Sequence, residues 1–164
     1  MCGIFGIHGH HDAVHMAQLG LYSLQHRGQE SVGVAVFHEH DGGGGGARVV
    51  RSMGTISPGM AAELDSLRGT TAVGHTRYST AGSSTIENAQ PVLARFRGGH
   101  IALAHNGNLT NATELRRELE DQGAIFGSTM DSEVLVHRLA RAGAGRLEDR
   151  FAEALTGVEG AFCV

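Results

Sequence analysis

The sequence contains no tryptophan, only two cysteines, and no apolar run that approaches the ~20 residues of a membrane-spanning helix. Its start also lacks the basic segment and long apolar segment of a secretory signal. Two cysteines, at positions 2 and 163, cannot build a disulfide framework, so we expect the reducing environment of the cytoplasm. These absences argue against a membrane-spanning protein and against a small disulfide-stapled domain.

Runs of positive charge are missing as well. The formal net charge is −4 at pH 7, which argues against nucleic acid as the main partner. The length of 164 residues fits one domain with a substantial core. Glycine is abundant, with 25 residues, and residues 42–46 are all glycine. That run lacks the spaced glycines and the lysine of a phosphate-binding loop, so we interpret it as a hairpin tip and assign it no role.

Short apolar or β-rich runs predict strands, and several of them come as hairpins. The predicted strands cover residues 2–7, 31–37, 47–53, 71–78, 92–96 and 100–105. Apolar residues at helical spacing predict helices over residues 13–25, from 58 onward, from 112 to just before Gly123, and over 131–142 and 147–155. Because strands and helices come in separate blocks, we expect the α+β class with antiparallel sheets.

Local signals at the two ends of these elements give further expectations. Asp12, Ser57 and Asn111 are predicted to cap the helices that follow them, with Pro58 in the first turn of the second helix. The chain ends in an apolar run that is typical of the start of a strand, so we expect a C-terminally truncated domain over residues 1–164. Cys163 lies in that run and is interpreted as a core residue.

Cys2 directly follows the start methionine. A small residue at position two is the condition under which cells usually remove Met1, which would make Cys2 the first residue. It would then carry a thiol and a free α-amine, the amino-terminal form of an activated nucleophile. An α-amine has a pKa of roughly 7.7–8.0, so near neutral pH it can accept the proton of a thiol. On these residues alone, an ordinary buried cysteine is the alternative.

Three polar stretches follow predicted elements, at residues 24–31, 74–82 and 104–109. An arginine such as Arg77 can hold an α-carboxylate through two hydrogen bonds, and an acid such as Asp131 could hold an α-ammonium group. Asn106 and the amide of Gly107 could donate to an oxyanion. Each has an ordinary explanation as a surface charge, a helix cap or a turn. Together they suit a substrate that is an amide of an amino acid.

This set of motifs resembles the class II glutamine amidotransferases, in which an amino-terminal cysteine hydrolyses glutamine. The resemblance extends over the chain, through residues 2–7, 24–31 with Gly33, 74–82, 88–91, 104–108 and 131–134. Gln-His-Arg-Gly-Gln-Glu-Ser at 25–31 and Arg-Tyr-Ser-Thr-Ala-Gly at 77–82 look like the amidophosphoribosyltransferase branch. The glucosamine-6-phosphate synthase and asparagine synthetase branches typically have other residues there. Thr76 and Ser132 depart from the usual pattern without touching an assigned role.

The resemblance implies a four-layer αββα sandwich of the N-terminal-nucleophile type, with two stacked antiparallel sheets. It makes Cys2 the nucleophile with its own amine as base, Asn106 and Gly107 the oxyanion hole, and Arg77 and Asp131 the groups that hold glutamine. The supporting residues it implies for the substrate site are Thr80, Tyr78, His105 and Arg27.

The implied reaction passes through a γ-glutamyl thioester and releases ammonia and glutamate. In the whole enzyme the ammonia would reach a phosphoribosyltransferase domain that holds phosphoribosyl pyrophosphate and magnesium, within an expected homo-oligomer. The acidic motif of that domain is absent from the sequence, and no cofactor is expected in the glutaminase domain. Two alternatives stay open: the glutaminase domain of another branch, such as glucosamine-6-phosphate synthase, and a non-catalytic regulatory or assembly module.

Histidines cluster near the start, at positions 8, 10, 11 and 15. Zinc could in principle bind there, but no cysteine accompanies them. We therefore expect a solvated histidine-rich turn and no metal site.

Overall fold

The structure, a computed structural model, describes residues 1–38, 45–78, 83–97, 99–143 and 145–164. Within these residues the strands are β1 Gly3–His8, β2 Ser31–His38, β3 Gly46–Met53, β4 Thr71–Arg77, β5 Val92–Phe96, β6 Gly99–Leu103, β7 Asn106–Leu109 and β8 Gly160–Cys163. The helices are α1 Ala13–Leu24, α2 Pro58–Asp65, α3 Ala112–Asp121, α4 Glu133–Arg141 and α5 Leu147–Leu155. No helix among the described residues is long and apolar enough to cross a membrane.

The first sheet has the strand order β1-β4-β2-β3, and all of its neighbours are antiparallel. Its register pairs Gly3 of β1 with Thr76 of β4, and Ser31 of β2 with Arg77 of β4. The amino terminus of the chain and the start of β2 therefore both lie at the carboxyl end of β4. The candidate site lies at this end of the strands.

Helices α1 and α2 cover one face of this sheet and form its core with β2. Leu21 of α1 and Leu64 of α2 are fully buried in this cluster, together with Val34 of β2. Gly74 of β4 allows α1 to pack closely on the sheet, because a Cβ at this position would lie 2.9 Å from a methyl carbon of Leu21. Burying one leucine side chain stabilises a fold by roughly 1.5–3 kcal/mol, so this cluster holds α1 and α2 against the first sheet.

The second layer contains two antiparallel strand pairs, β5–β6 and β7–β8, within the described residues. Helices α3, α4 and α5 pack against it. Three apolar clusters join them, and their buried members are Leu103, Leu109, Leu135 and Val136; Ile101, Leu139 and Ala154; and Leu115, Leu119 and Val134. The α+β class with antiparallel sheets is confirmed.

Most element boundaries agree with the sequence-based prediction to within one or two residues. Strand β7 was missed, because residues 106–109 have the composition of a turn. They are extended because β8 pairs with them from far along the chain, with Asn106 opposite Cys163 and Leu109 opposite Gly160. The helix predicted from residue 131 begins at Glu133. The glycine run lies largely outside the described residues.

The predicted caps had mixed outcomes. Ser57 caps α2 as predicted, since its hydroxyl oxygen accepts a hydrogen bond from the Met60 amide at 3.2 Å. Asp12 and Asn111 precede α1 and α3, but neither side chain caps its helix, so those two predictions are wrong. The Asn111 side chain instead donates to the Gly157 carbonyl at 2.8 Å. It therefore ties α3 to the segment that leads into β8.

The prediction that Cys163 is a core residue is also wrong. Its side chain is exposed. The reason is its place in β8, a short strand that pairs with β7 on one side in the described structure.

Candidate active site

Cys2 lies at the carboxyl end of β4, directly before the residue of β1 that pairs with Thr76, and it contacts Tyr78. The Tyr78 amide donates a hydrogen bond to the Cys2 sulfur at 3.4 Å, and the thiol donates one to the Tyr78 carbonyl oxygen at 3.6 Å. Cys2 is half-buried and lines a cleft. It is not the fully buried structural cysteine that was the alternative from the sequence.

The cleft is open to solvent and encloses about 400 Å³ including its mouth. Its walls come from the end of β4, the segment before β5, the start of β7 and the segment before α4. Six of the nine predicted site residues line it: Cys2, Arg77, Tyr78, His105, Gly107 and Asp131. Asn106 and Arg27 contact Cys2. Thr80 lies outside the described residues, so its role stays a prediction.

The main-chain groups of Cys2 are held on both sides. Its N–H donates to the side-chain oxygen of Asn106 at 3.0 Å, and its carbonyl accepts from the Arg27 guanidinium at 3.0 Å. Met1 is present and 74% exposed, so this nitrogen belongs to a peptide bond in the structure. Removing Met1 would open the nitrogen to the cleft while Asn106 still marks its position.

Gly107 is the position at which the site demands a glycine. Its φ angle is 151°, and a Cβ there would lie 2.3 Å from the Ala161 carbonyl oxygen and 2.5 Å from the Phe162 Cα. The pairing of β7 with β8 thus presses two backbones together at this residue. The result is a tightly held backbone segment next to Asn106 on the cleft wall.

Asp131 is held as a carboxylate by two hydrogen-bond donors. One oxygen accepts from the Leu109 amide at 2.9 Å, and the other lies 3.4 Å from Nδ1 of the buried His105. Burial alone would raise the pKa of Asp131, but the hydrogen bonds from His105 and Leu109 outweigh it and hold the pKa below its usual value. Its side chain remains 22% exposed and faces the cleft.

Arg77 is more deeply enclosed, with its side chain 5% exposed. The guanidinium forms an ion pair with Glu30 and also donates to the Ser83 carbonyl at 3.3 Å. Its charge is therefore compensated by a carboxylate of the chain itself, and the pair lies at the edge of the cleft.

Several residues that shape the cleft have no role in the sequence-based prediction. Gln90 lines it and accepts a hydrogen bond from the His105 amide at 2.6 Å. Asn88 is 1% exposed and joins two walls, because its amide nitrogen donates to the Ser83 carbonyl at 2.8 Å and its oxygen accepts from the Thr129 amide at 3.0 Å. Both lie in the segment 88–91, which contributed to the resemblance without an assigned function.

His75 is another buried group behind the site. Its Nε2 lies 3.0 Å from the carbonyl oxygen of His105, and the side chain has no exposed surface. Burial lowers the pKa of His75 from 6.5 to about 4. It is therefore neutral at physiological pH and links β4 to the strands of the second layer.

The histidine-rich turn forms a separate cluster. Among the described residues, one group of metal-ligating side chains, His10, His11 and Asp12, brings its ligand atoms within 4.8 Å of one another. His11 lies 3.2 Å from the Asp12 carboxylate, and the Asp12 amide donates to His10 at 3.1 Å. None of the three lines the candidate cleft. Their interpretation as a solvated turn stays a prediction.

Comparison with known proteins decides the family. A family model described as a glutamine amidotransferase domain matches residues 58–158. An amidophosphoribosyltransferase of Lacticaseibacillus casei is 47% identical, over 98% of this chain and 81% of the relative. The chain belongs to the glutamine amidotransferase family. A second amidophosphoribosyltransferase, from Bacillus subtilis (strain 168), is 42% identical to this amidotransferase domain over 98% of the domain and 33% of the relative.

Solved structures agree. One described as the allosteric regulatory enzyme of purine biosynthesis superposes with a TM-score of 0.87 at 41% identity, covering 99% of this chain and 34% of that one. The glutamine phosphoribosylpyrophosphate amidotransferase from B. subtilis, complexed with ADP and GMP, superposes at 0.82 with 41% identity and the same coverage. The N-terminal-nucleophile fold is thereby confirmed for this amidotransferase domain, which spans about a third of these longer chains.

Proposed function

We propose that this chain is the glutaminase part of an amidophosphoribosyltransferase. It would release ammonia from glutamine for the synthesis of 5-phosphoribosylamine, the first step of de novo purine biosynthesis. One observation carries the proposal: Cys2, Gly107, Arg77 and Asp131 line one cleft, with Asn106 against Cys2. The relatives named amidophosphoribosyltransferase favour this branch over glucosamine-6-phosphate synthase.

The nucleophile in this mechanism requires removal of Met1. The nitrogen of Cys2 then becomes an α-amine next to the Asn106 side-chain oxygen, 3.0 Å away in the structure. The amine takes the thiol proton, and the sulfur attacks the carboxamide carbon of glutamine. The carbon–nitrogen bond breaks, and ammonia leaves with the proton that the amine returns. Water then attacks the γ-glutamyl thioester, which frees glutamate and restores the thiol.

The developing oxyanion needs donors that are already in place. The amide of Gly107 and the side-chain nitrogen of Asn106 are the candidates on the cleft wall. The oxygen of the same Asn106 side chain holds the Cys2 nitrogen. In this mechanism one carboxamide thus orients the base and stabilises the intermediate.

The two charged groups of glutamine suit the two charged residues of the cleft. Asp131, whose pKa lies below its usual value, stays ionised at neutral pH and would pair with the α-ammonium group. Arg77 would bind the α-carboxylate. Glutamine would then lie with its carboxamide near Cys2.

In the whole protein the ammonia would pass to a phosphoribosyltransferase domain, which would use magnesium, in a homo-oligomer. The length of the relatives supports this part of the proposal, since the chain covers 33% of the B. subtilis protein. The proposed glutaminase mechanism uses groups of the chain itself and routes no step through a cofactor. Both cysteines are free thiols in the structure, which supports the expected cytoplasmic location.

The test is glutamine hydrolysis by the processed protein at its natural length. We expect Cys2→Ala to abolish it and Glu148→Ala, a change in an exposed ion pair outside the cleft lining, to leave it unchanged. Undiminished hydrolysis in Cys2→Ala would contradict the proposed nucleophile, and a processed wild-type protein that does not hydrolyse glutamine would favour the non-catalytic module. Reading the gene past residue 164 identifies the acceptor domain.

A further inference from the structure

The ion pair between Glu30 and Arg77 has no part in the mechanism described so far. Both side chains are largely enclosed, with 15% of Glu30 and 5% of Arg77 exposed. Arg77 lines the cleft, and Glu30 is not among the lining residues. Glu30 therefore approaches the guanidinium from the side away from the substrate.

The backbone holds Glu30 in place at several points. Its amide donates to the Arg77 carbonyl at 3.1 Å, and its own carbonyl accepts from the Gly54 amide at 2.7 Å. Just before it, Gly28 packs so closely on β4 that a Cβ would lie 2.6 Å from the Arg77 carbonyl carbon and oxygen. The carboxylate is thus presented from a rigid segment that is docked on the same strand end as its partner.

A fixed carboxylate has a specific effect on an arginine. The guanidinium is planar and carries five donors in a rigid fork, on a long and flexible side chain. Once one nitrogen is bound to Glu30, the plane and reach of the group are restricted. An α-carboxylate in the cleft then meets a guanidinium that is already oriented, so less rotational freedom is lost on binding.

We propose that Glu30 is a positioning residue that orients Arg77 toward the α-carboxylate of glutamine. This inference rests on the proposed function of the cleft. In the complex the guanidinium lies between two carboxylates, one from the chain and one from the substrate. Glu30 acts through Arg77 and does not touch the substrate.

The test compares two reagents that react with the same thiol in the processed, natural-length protein. A diazoketone analogue of glutamine carries the α-carboxylate, and iodoacetamide does not. In Glu30→Ala we expect labelling of Cys2 by the diazoketone to slow about tenfold, and labelling by iodoacetamide to stay within about twofold of wild type. The KM for glutamine should rise about tenfold while kcat stays within about threefold.

Glu30→Gln distinguishes orientation from charge, because its amide oxygen still accepts a hydrogen bond from Arg77. We expect it to keep KM within about threefold of wild type. Should Glu30→Ala fail to fold, this variant decides alone, and a tenfold rise of KM in folded Glu30→Gln overturns the inference. Glu148→Ala, which removes the carboxylate of the exposed Arg146–Glu148 pair, is the matched control and should match wild type.

The outcomes separate the two proposals. Wild-type kinetics in Glu30→Ala with both reagents would refute the role of Glu30 and leave the glutaminase intact. A wild-type protein that neither hydrolyses glutamine nor reacts with the diazoketone at Cys2 would refute the proposed function itself.

Discussion

The two charged residues that line the cleft, Asp131 and Arg77, differ in the groups that hold them. Asp131 receives hydrogen bonds from the Leu109 amide and from His105, and these hold its pKa below the usual value. Arg77 is paired with a carboxylate of the chain, Glu30, and is more deeply buried. In the proposed complex, Asp131 would contribute mainly its negative charge, and Arg77 would contribute a guanidinium whose orientation is already fixed by Glu30.

The largest expected effect is the loss of folding stability when Arg77 is replaced. Arg77→Ala leaves the Glu30 carboxylate enclosed without its partner, which costs about 3–5 kcal/mol for a buried ion pair. Asp131→Asn keeps a side-chain oxygen that can accept from the Leu109 amide or His105, and it should cost less than about 1.5 kcal/mol. Urea unfolding of both variants measures the difference, and equal losses would contradict the contrast.

The next effect is the pH dependence of stability at His75, on the strand that carries Arg77. Its pKa is about 4 in the folded state and 6.5 without burial. The unfolded chain therefore binds the proton first, and stability falls as pH drops from 6.5 to 4, by about 3 kcal/mol in total.

His75→Gln should flatten this part of the profile, since its amide can replace the hydrogen bond to the His105 carbonyl without titrating. Asp131, with a lowered pKa, contributes stability that is present above its ordinary pKa and is lost only as pH falls through the folded value. Unfolding midpoints measured between pH 7 and pH 4 separate the two groups, and an unchanged slope in His75→Gln would argue against the assignment.

A third effect concerns substrate binding at Asp131. Asp131→Asn removes the charge that is proposed to pair with the α-ammonium group, a change of about 2–5 kcal/mol when such a pair is enclosed. We expect the KM for glutamine to rise about 100-fold with a near-normal fold. A KM within threefold of wild type would show that the α-ammonium group binds elsewhere.

The smallest expected effect is at the β7 backbone. Gly107→Ala forces a Cβ against the Ala161 carbonyl at a φ of 151°, which costs about 1–3 kcal/mol and displaces the proposed oxyanion donor. We expect kcat to fall about tenfold. Gly6→Ala, where a Cβ has no neighbour within 4 Å, is the control. Equal kcat values in the two variants would remove Gly107 from the oxyanion hole.

Much of the fold could be predicted because local patterns decide it. The β-rich run that forms β2 and the Ser57 cap both depend on residues close in sequence. Strand β7 could not be predicted, because it is extended only through pairing with β8. Asn111 likewise resembles a cap locally, but its side chain binds the backbone of Gly157 and Glu159.

The residues of the site likewise separate into those recognisable from local sequence and those that depend on distant partners. The placement of Cys2, Asn106 and Asp131 at one site could be predicted, because their side chains have distinctive chemistry in recognisable motifs; their roles stay predictions. Glu30 and Gln90 could not, because their roles depend on partners 47 and 15 positions away. A carboxylate in a polar loop gives no sign of the arginine that it will hold.

The central claim is that Cys2 reacts through its own free α-amine. A single sample with partly processed amino termini, treated briefly with the diazoketone and digested, tests it by mass. We predict that the label is carried by peptides that begin at Cys2, and that peptides that still begin at Met1 are labelled about 100-fold less. Equal labelling of both peptides would contradict the account, since the amine would then not be the base.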